Sequence, residues 1–187
     1  MDLDKQLGAD QQLGAEIKKA TVAHVEELAQ LFDDYRVWYR KPSDLKAAKA
    51  FLQARIEKGE SVIFIAYNDF GEMAGFTQLY PLFSSTRMKR LWLLNDLFVH
   101  PDFRGIGMSK KLIERAKQLC RETNACAMIL ETEKSNLIGN ELYPRTGFEL
   151  DVETNHYEWT TTEEICCLLY TSPSPRDATL SRMPSSA

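Results

Sequence analysis

The 187-residue chain has little of what would place it in several large classes of protein. No apolar stretch approaches the ~20 residues needed to cross a bilayer, and the opening MDLDKQLGADQQLGAE lacks the basic-then-apolar layout of a secretory signal. A cytoplasmic protein with no membrane partner is expected. Histidine is scarce, at three residues, and the four cysteines (Cys120, Cys126, Cys166, Cys167) form neither a CxxC pair nor a Cys/His ligand spacing. Reduced thiols and no bound metal follow as the expectation. A surplus of basic charge is missing as well: 23 Lys and Arg against 27 Asp and Glu are interspersed, for a formal net charge of −4. That leaves no broad basic face for nucleic acid and suits a small cationic partner. Neither a GxxxxGK[ST] P-loop nor a GxGxxG dinucleotide fingerprint occurs. What is present is 44% apolar residues, enough for one globular core.

The composition changes near Ile165. Residues 167 to 187, CLLYTSPSPRDATLSRMPSSA, crowd Pro, Ser and Thr together and lose hydrophobic periodicity. One reading is a disordered tail. A sharper one is that residues 167 to 177 and 181 to 187 back-translate to the two constant flanks of a transposase-type sequencing adapter, around Ala178, Thr179 and Leu180 where an index would sit. Residues 1–15, with the near-repeat QLGAD and QLGAE, read as a leader, residues 16–165 as the folded domain, and residues 166–187 as a non-native or disordered tail.

Within the domain the hydrophobic period alternates between that of a strand and that of a helix. Ile17 to Ala20 suits a short strand. Val22, Val25, Leu28, Ala29, Phe32 and Tyr35 recur at helical spacing behind a Thr21 cap and predict a first helix ending near Tyr39. Leu45, Ala48, Leu52 and Ile56 predict a second, stopping at Gly59. SVIFIAY and MAGFTQLY around NDFG predict a hairpin, and LWLLNDLFV, apolar on both faces, a covered central strand. An amphipathic helix over 108 to 121, a strand at 127 to 131, a short helix at 136 to 143 and a final strand pair, 148 to 150 with 156 to 159, complete the order. The class is α/β: a mixed, mostly antiparallel sheet flanked by helices in a single domain.

The junction HPDFRGIGMS links the covered strand to the amphipathic helix. Helix-first amides lack intrahelical acceptors and sit at the positive end of the dipole, so they form an anion site. Gly105 and Gly107 leave room for a diphosphate, and Arg104 adds fixed charge. A tight loop with a helix cap is the plainer alternative for so short a motif.

LNDLFVHPDFRGIGMSKKLI resembles the central motif of the GNAT superfamily of N-acetyltransferases, a strand ending VxP followed by [QR]xxGx[GA]. Arg104, Gly107 and Ser109 take the fixed places, with Ser109 standing for the usual Gly or Ala. NLIGNELYPRTGF, residues 136 to 148, is similar to the family's NxxAxxLYExxGF, with Gly139 replacing Ala and Pro144 replacing Glu. The resemblance spans roughly residues 16 to 160 and implies acetyl-CoA as donor, with the residues from Arg104 to Ser109 (Gly105, Ile106, Gly107 and Met108 between them) cradling its pyrophosphate. It implies that Leu97, Phe98 and Val99 lie along the pantetheine arm, where the strand splays from its neighbour, that Asn136 contacts the same arm, and that Tyr143 protonates the departing thiolate. A homodimer is compatible with the family; nothing in the chain fixes an interface.

Acetyl transfer to an amine requires the neutral nitrogen, and an alkylammonium has a pKa near ~10.4, so a base or water chain must take its proton. Asp96, a carboxylate in an otherwise apolar strand, is the candidate base; a structural role is the alternative. Strict alternation sets Asn95 with Leu93 and Leu97, and Asp96 with Leu94 and Phe98, unless a bulge reverses the parity. Asp33, Asp34 and Tyr35 at the end of the first helix, with Gln78, Tyr80 and Asn95, are candidates for the acceptor pocket. Ser84 and Ser85 follow the hairpin's second strand, and His156 and Tyr157 lie on the predicted final strand pair. The expected reaction is direct acetyl transfer to a primary amine of a small molecule (diamine, amino acid or similar) or a basic peptide. The competing reading is a non-catalytic acyl-CoA-binding sensor or interaction module.

Overall fold

The computed structural model describes residues 16–161; the expected leader and tail, with Cys166 and Cys167, lie outside the described residues. β1 (Glu16–Lys19) leads through a 3-10 turn into α1 (Val25–Trp38), and α2 (Leu45–Glu57) follows. Asp44 starts α2 by accepting the Ala47 N–H at 2.9 Å, and Gly59 ends the turn after it at φ 63°. The stripe Val25, Leu28, Ala29 and Phe32 is buried because it faces the sheet.

β2 (Val62–Tyr67), β3 (Met73–Ser84) and β4 (Lys89–Val99) form an antiparallel meander. Asn68 closes its first turn by accepting the N–H groups of Phe70 and Glu72. α3 (Met108–Glu122) returns the chain to β5 (Met128–Ile129), which pairs parallel to β4, and α4 (Leu137–Arg145) follows. The result is a five-stranded mixed sheet in the order β1-β2-β3-β4-β5. One face carries α1 and α2 on Ile63, Ile65 and Phe76; the other carries α3 on Phe64, Leu79, Trp92 and Leu94.

The chain divides into two compact units, the first ending at Asp151. The sheet and the helices just described belong to the first; residues 152–161, the described part of the second, hold no helix or strand. The predicted final strand pair therefore does not form. An alternating run becomes a strand only against a partner edge, and a two-residue β5 offers few backbone groups to pair with. Leu150, Val152, Tyr157 and Trp159 are exposed as a consequence.

Two irregularities of β4 shape the site. Across β3 the register runs Gln78↔Asp96 and then Leu79↔Leu94, leaving Asn95 as the extra residue of a bulge. Before it, Trp92 and Leu94 point to the α3 side; after it, Phe98 belongs to the α1 side while Leu97 and Val99 pack on the α3 side. Asp96 shares the parity of Phe98, so it faces α1 and not the core that holds Leu94. The second irregularity is that pairing with β5 stops at Leu93↔Ile129, leaving that edge of β4 open toward Val99.

Candidate functional site

The glycine junction is held by backbone angle. Gly105 and Gly107 both have φ 84°, a left-handed conformation that side chains resist, and a Cβ at either position would meet nothing within 4 Å. Conformation, more than crowding, thus accounts for glycine here. Gly107 is the residue before α3, and the first bond of that helix runs from the Lys111 N–H to the Gly107 carbonyl at 3.2 Å. The amides of the first turn have no acceptor within the helix and form an anion-binding end. Arg104 donates from Nε to the Val99 carbonyl at 3.0 Å, and its guanidinium lies 4.6 Å from the Trp38 ring centroid.

A cavity of about 370 Å³ opens beside this loop. Leu97, Phe98 and Val99 line it from β4, and Arg104, Gly105, Gly107, Met108 and Ser109 from the glycine loop and the start of α3. Tyr143 lines it from α4 and Asn136 from the cap before that helix, and Tyr35 and Trp38 line it from α1 with Tyr39 just after. The structure thus brings most of the sequence-predicted cofactor residues to one cavity. Ile106 is exposed at the loop tip and is not among the lining residues. Asn136 also starts α4, its Oδ1 accepting the Gly139 N–H at 3.0 Å and its Nδ2 donating to Thr132 Oγ1 at 2.9 Å. A Cβ at Gly139 would come within 2.6 Å of that Nδ2, so an alanine here would displace the capping side chain.

Of the predicted acceptor residues only Tyr35 lines the cavity. Asp33 is buried in a closed network with α2, accepting from Ser43 Oγ at 2.5 Å, the Asp44 N–H at 2.9 Å and Arg36 Nη1 at 3.0 Å. Burial pushes its carboxyl up, but these donors outweigh burial and hold it below the ordinary carboxylate range. Asp34 accepts from Gln30 Nε2 at 3.1 Å on the helix surface. Gln78 is fully buried, donates to Ser61 Oγ at 2.9 Å and leaves Oε1 without a partner. Tyr80, half-buried, has its phenol pushed up to about 12 by burial and then by the charge of Asp96. Asn95 is exposed and donates from Nδ2 to Asp96 Oδ2 at 3.0 Å. His156 and Tyr157 fall in the second unit and are exposed.

Asp96 is 6% exposed and does not itself line the cavity. Burial raises its carboxyl pKa, opposed by the Asn95 hydrogen bond and then by the Tyr35 hydroxyl, and no ion pair to it forms among the described residues. Tyr35 is pushed far above the usual phenol range by burial, then by Asp96. Tyr39 is raised by burial and then by Glu133 and Asp96, opposed by the Tyr35 hydroxyl. Burial pushes Tyr143 up to about 12, which keeps its phenol protonated at neutral pH. The arrangement joins an anion-binding end to an aromatic wall backed by one buried carboxylate. Trp38 and Tyr39 were not among the residues predicted, although Tyr35, Trp38 and Tyr39 at i, i+3 and i+4 share one helix face and that spacing is visible in the sequence.

The chain is similar to known acetyltransferases. The profile of the Acetyltransferase (GNAT) family matches residues 25–148, so the chain belongs to that family and is an acetyltransferase. It is 45% identical over 141 residues to the uncharacterized N-acetyltransferase YhfO of Bacillus subtilis (strain 168), covering 75% of this chain and 94% of that one. Identity to a probable acetyltransferase of Haemophilus influenzae is 29% over 140 residues, with the same coverages of 75% and 94%. The crystal structure of a probable acetyltransferase superposes with a TM-score of 0.76 at 37% identity, covering 80% of this chain and 99% of that chain.

Proposed function

We propose that the protein transfers an acetyl group from acetyl-CoA directly to a primary amine of a small molecule or a basic peptide. The observation that carries this is one cavity lined both by an anion-binding loop and by an aromatic wall backed by a carboxylate. The residues present fit the donor. Open first-turn amides and Arg104 suit a diphosphate, and the free β4 edge from Leu97 to Val99 together with Asn136 suits an amide-bearing arm. When bound, acetyl-CoA supplies a thioester carbonyl activated toward amines. Tyr143 holds a proton at neutral pH at the cavity wall, as an acid for the leaving sulfur must. Asp96 holds no cation of its own and takes the proton that an ammonium acceptor must lose before attack.

A panel of 1,4-diaminobutane, lysine, an N-terminal alanine peptide and a lysine-rich peptide, each with acetyl-CoA, tests this by release of free thiol and the mass of the product. Amine-dependent thiol release with an acetylated amine is expected from at least one. Acetyl-CoA binding without amine-dependent release from any of the four would overturn the proposal.

A further inference from the structure

The carboxylate proposed as base does not face the space where an amine would sit. Asp96 is buried and absent from the cavity wall, whereas Tyr35, whose ring packs against Phe98 on the same face of β4 as Asp96 and whose hydroxyl favours the charged carboxylate, lines the cavity. The Tyr35 ring is fixed by its neighbours, edge-on to Phe76 and Phe98 with centroids at 5.7 Å from each. Tyr39 packs against it at 5.0 Å, also edge-on. On the strand side, Gln78 lies across from Asp96 in register, and Tyr80 senses its charge. An amine in the cavity therefore meets phenol oxygens first and the carboxylate only behind them.

We infer that Tyr35 is the group that touches the acceptor, and that its hydroxyl passes the amine's proton to Asp96. The inference rests on the proposed function and deepens it by assigning the contact at the nitrogen. The balance is as follows. The ammonium gives one proton to the Tyr35 oxygen while Tyr35 gives its own to the Asp96 carboxylate, so the phenol ends unchanged and the carboxylate becomes a carboxylic acid. The C–N bond then forms as the C–S bond breaks, sulfur keeping the electron pair. The second nitrogen proton is lost as the thiol gains one, and the proton on Asp96 returns to solvent before the next cycle. The concerted double transfer leaves no free phenolate, which suits a phenol whose ionisation burial opposes.

Tyr35→Phe keeps the ring and its packing and removes only the hydroxyl. With the most active amine of the panel, kcat/KM at pH 7 is expected to fall by ~10²-fold or more, with acetyl-CoA affinity within a factor of ~3 of the parent. The double variant Tyr35→Phe/Asp96→Asn should be no slower than Asp96→Asn alone, since the two act as one unit. In Tyr35→Phe the rate should climb tenfold per pH unit toward the amine's own pKa, because only the free amine then reacts. A purely structural Tyr35 would lower the profile and leave its shape intact, and that result overturns the inference. Loss of turnover in Asp96→Asn alone, with Tyr35→Phe unaffected, also overturns it while leaving the base assignment standing; full activity of Asp96→Asn defeats the base assignment itself. A measurement without any acceptor stands beside these: infrared titration of the Asp96 carboxyl should show a higher midpoint in Tyr35→Phe, and an unmoved midpoint counts against the contact.

Discussion

Asp33 and Asp96 are two buried carboxylates, 3% and 6% exposed, on opposing elements of the α1 side of the sheet, and their surroundings drive them in opposite directions. Asp33 meets a hydroxyl, a backbone N–H and a guanidinium, which together outweigh its burial and keep it charged. Asp96 meets an amide and a phenol, both neutral, and burial prevails. The first arrangement fastens the N-terminus of α2 to α1; the second leaves a buried carboxylate with no cation paired to it among the described residues. A buried acid tied to an internal cation is a clasp, and one held only by neutral donors is available for chemistry.

Exchanging each acid for its amide should separate the two roles. The largest expected effect is in Asp96→Asn: kcat/KM falls by ~10²- to 10⁴-fold in the thiol-release assay while acetyl-CoA binding persists. The same change should raise the melting temperature at pH 7. A carboxyl whose folded pKa lies above its unfolded value loses stability as pH rises from about 3.9 through the folded pKa, and the amide removes that penalty. At pH 3 the gain should vanish.

Asp33→Asn comes next, with the reverse pattern: near-normal turnover, and a loss of about 2 kcal/mol as a cap and a paired charge are weakened together, which is roughly 4 to 8 °C in melting temperature for a domain of this size. Its contribution is present above about pH 3.9 and fades as pH falls through the lowered folded pKa, so the variant should lose less stability than the parent on acidification. If Asp33→Asn abolished turnover at unchanged melting temperature, the contrast between the two acids would collapse. The smallest effect is expected from Asn95→Ala. Removing one donor raises Asp96 further, shifting the acid limb of the pH–rate profile upward, with less than a tenfold change in rate at pH 7.

Much of the fold was legible because it is local. Helix stripes, the NDFG turn and the glycine junction each depend on residues close in sequence, and the predicted elements from β1 to α4 appear within a few residues of their expected bounds apart from a shortened β5 and a longer β3. The cavity was legible in the same way at its loop end, since Arg104 to Ser109 is one contiguous motif. Asp33 was not, because the donors that close around it come from Arg36 on its own helix and from Ser43 and Asp44, at the start of the next. Seen in sequence alone, DDY at the end of a helix reads equally as a pocket rim. The position of Asp96 was open for a different reason: its face depends on a register shift against β3, which is a property of two strands. The final strand pair failed on the same ground, as alternation in one segment says nothing about the length of the edge it needs.

The extra residue at Asn95 lets β4 be read in two phases. Up to Leu94 the strand is written for the interior beneath α3; beyond it, the same alternation is written for the site beneath α1, with no change in strand direction or composition. The two halves can therefore vary separately, the first against the interior beneath α3 and the second against the α1 side. Drawing Asn95 into a regular ladder, with no residue left over, would realign them into a single phase, turning Asp96 toward the α3 interior. The junction between the two phases of the strand is, in this protein, a matter of counting.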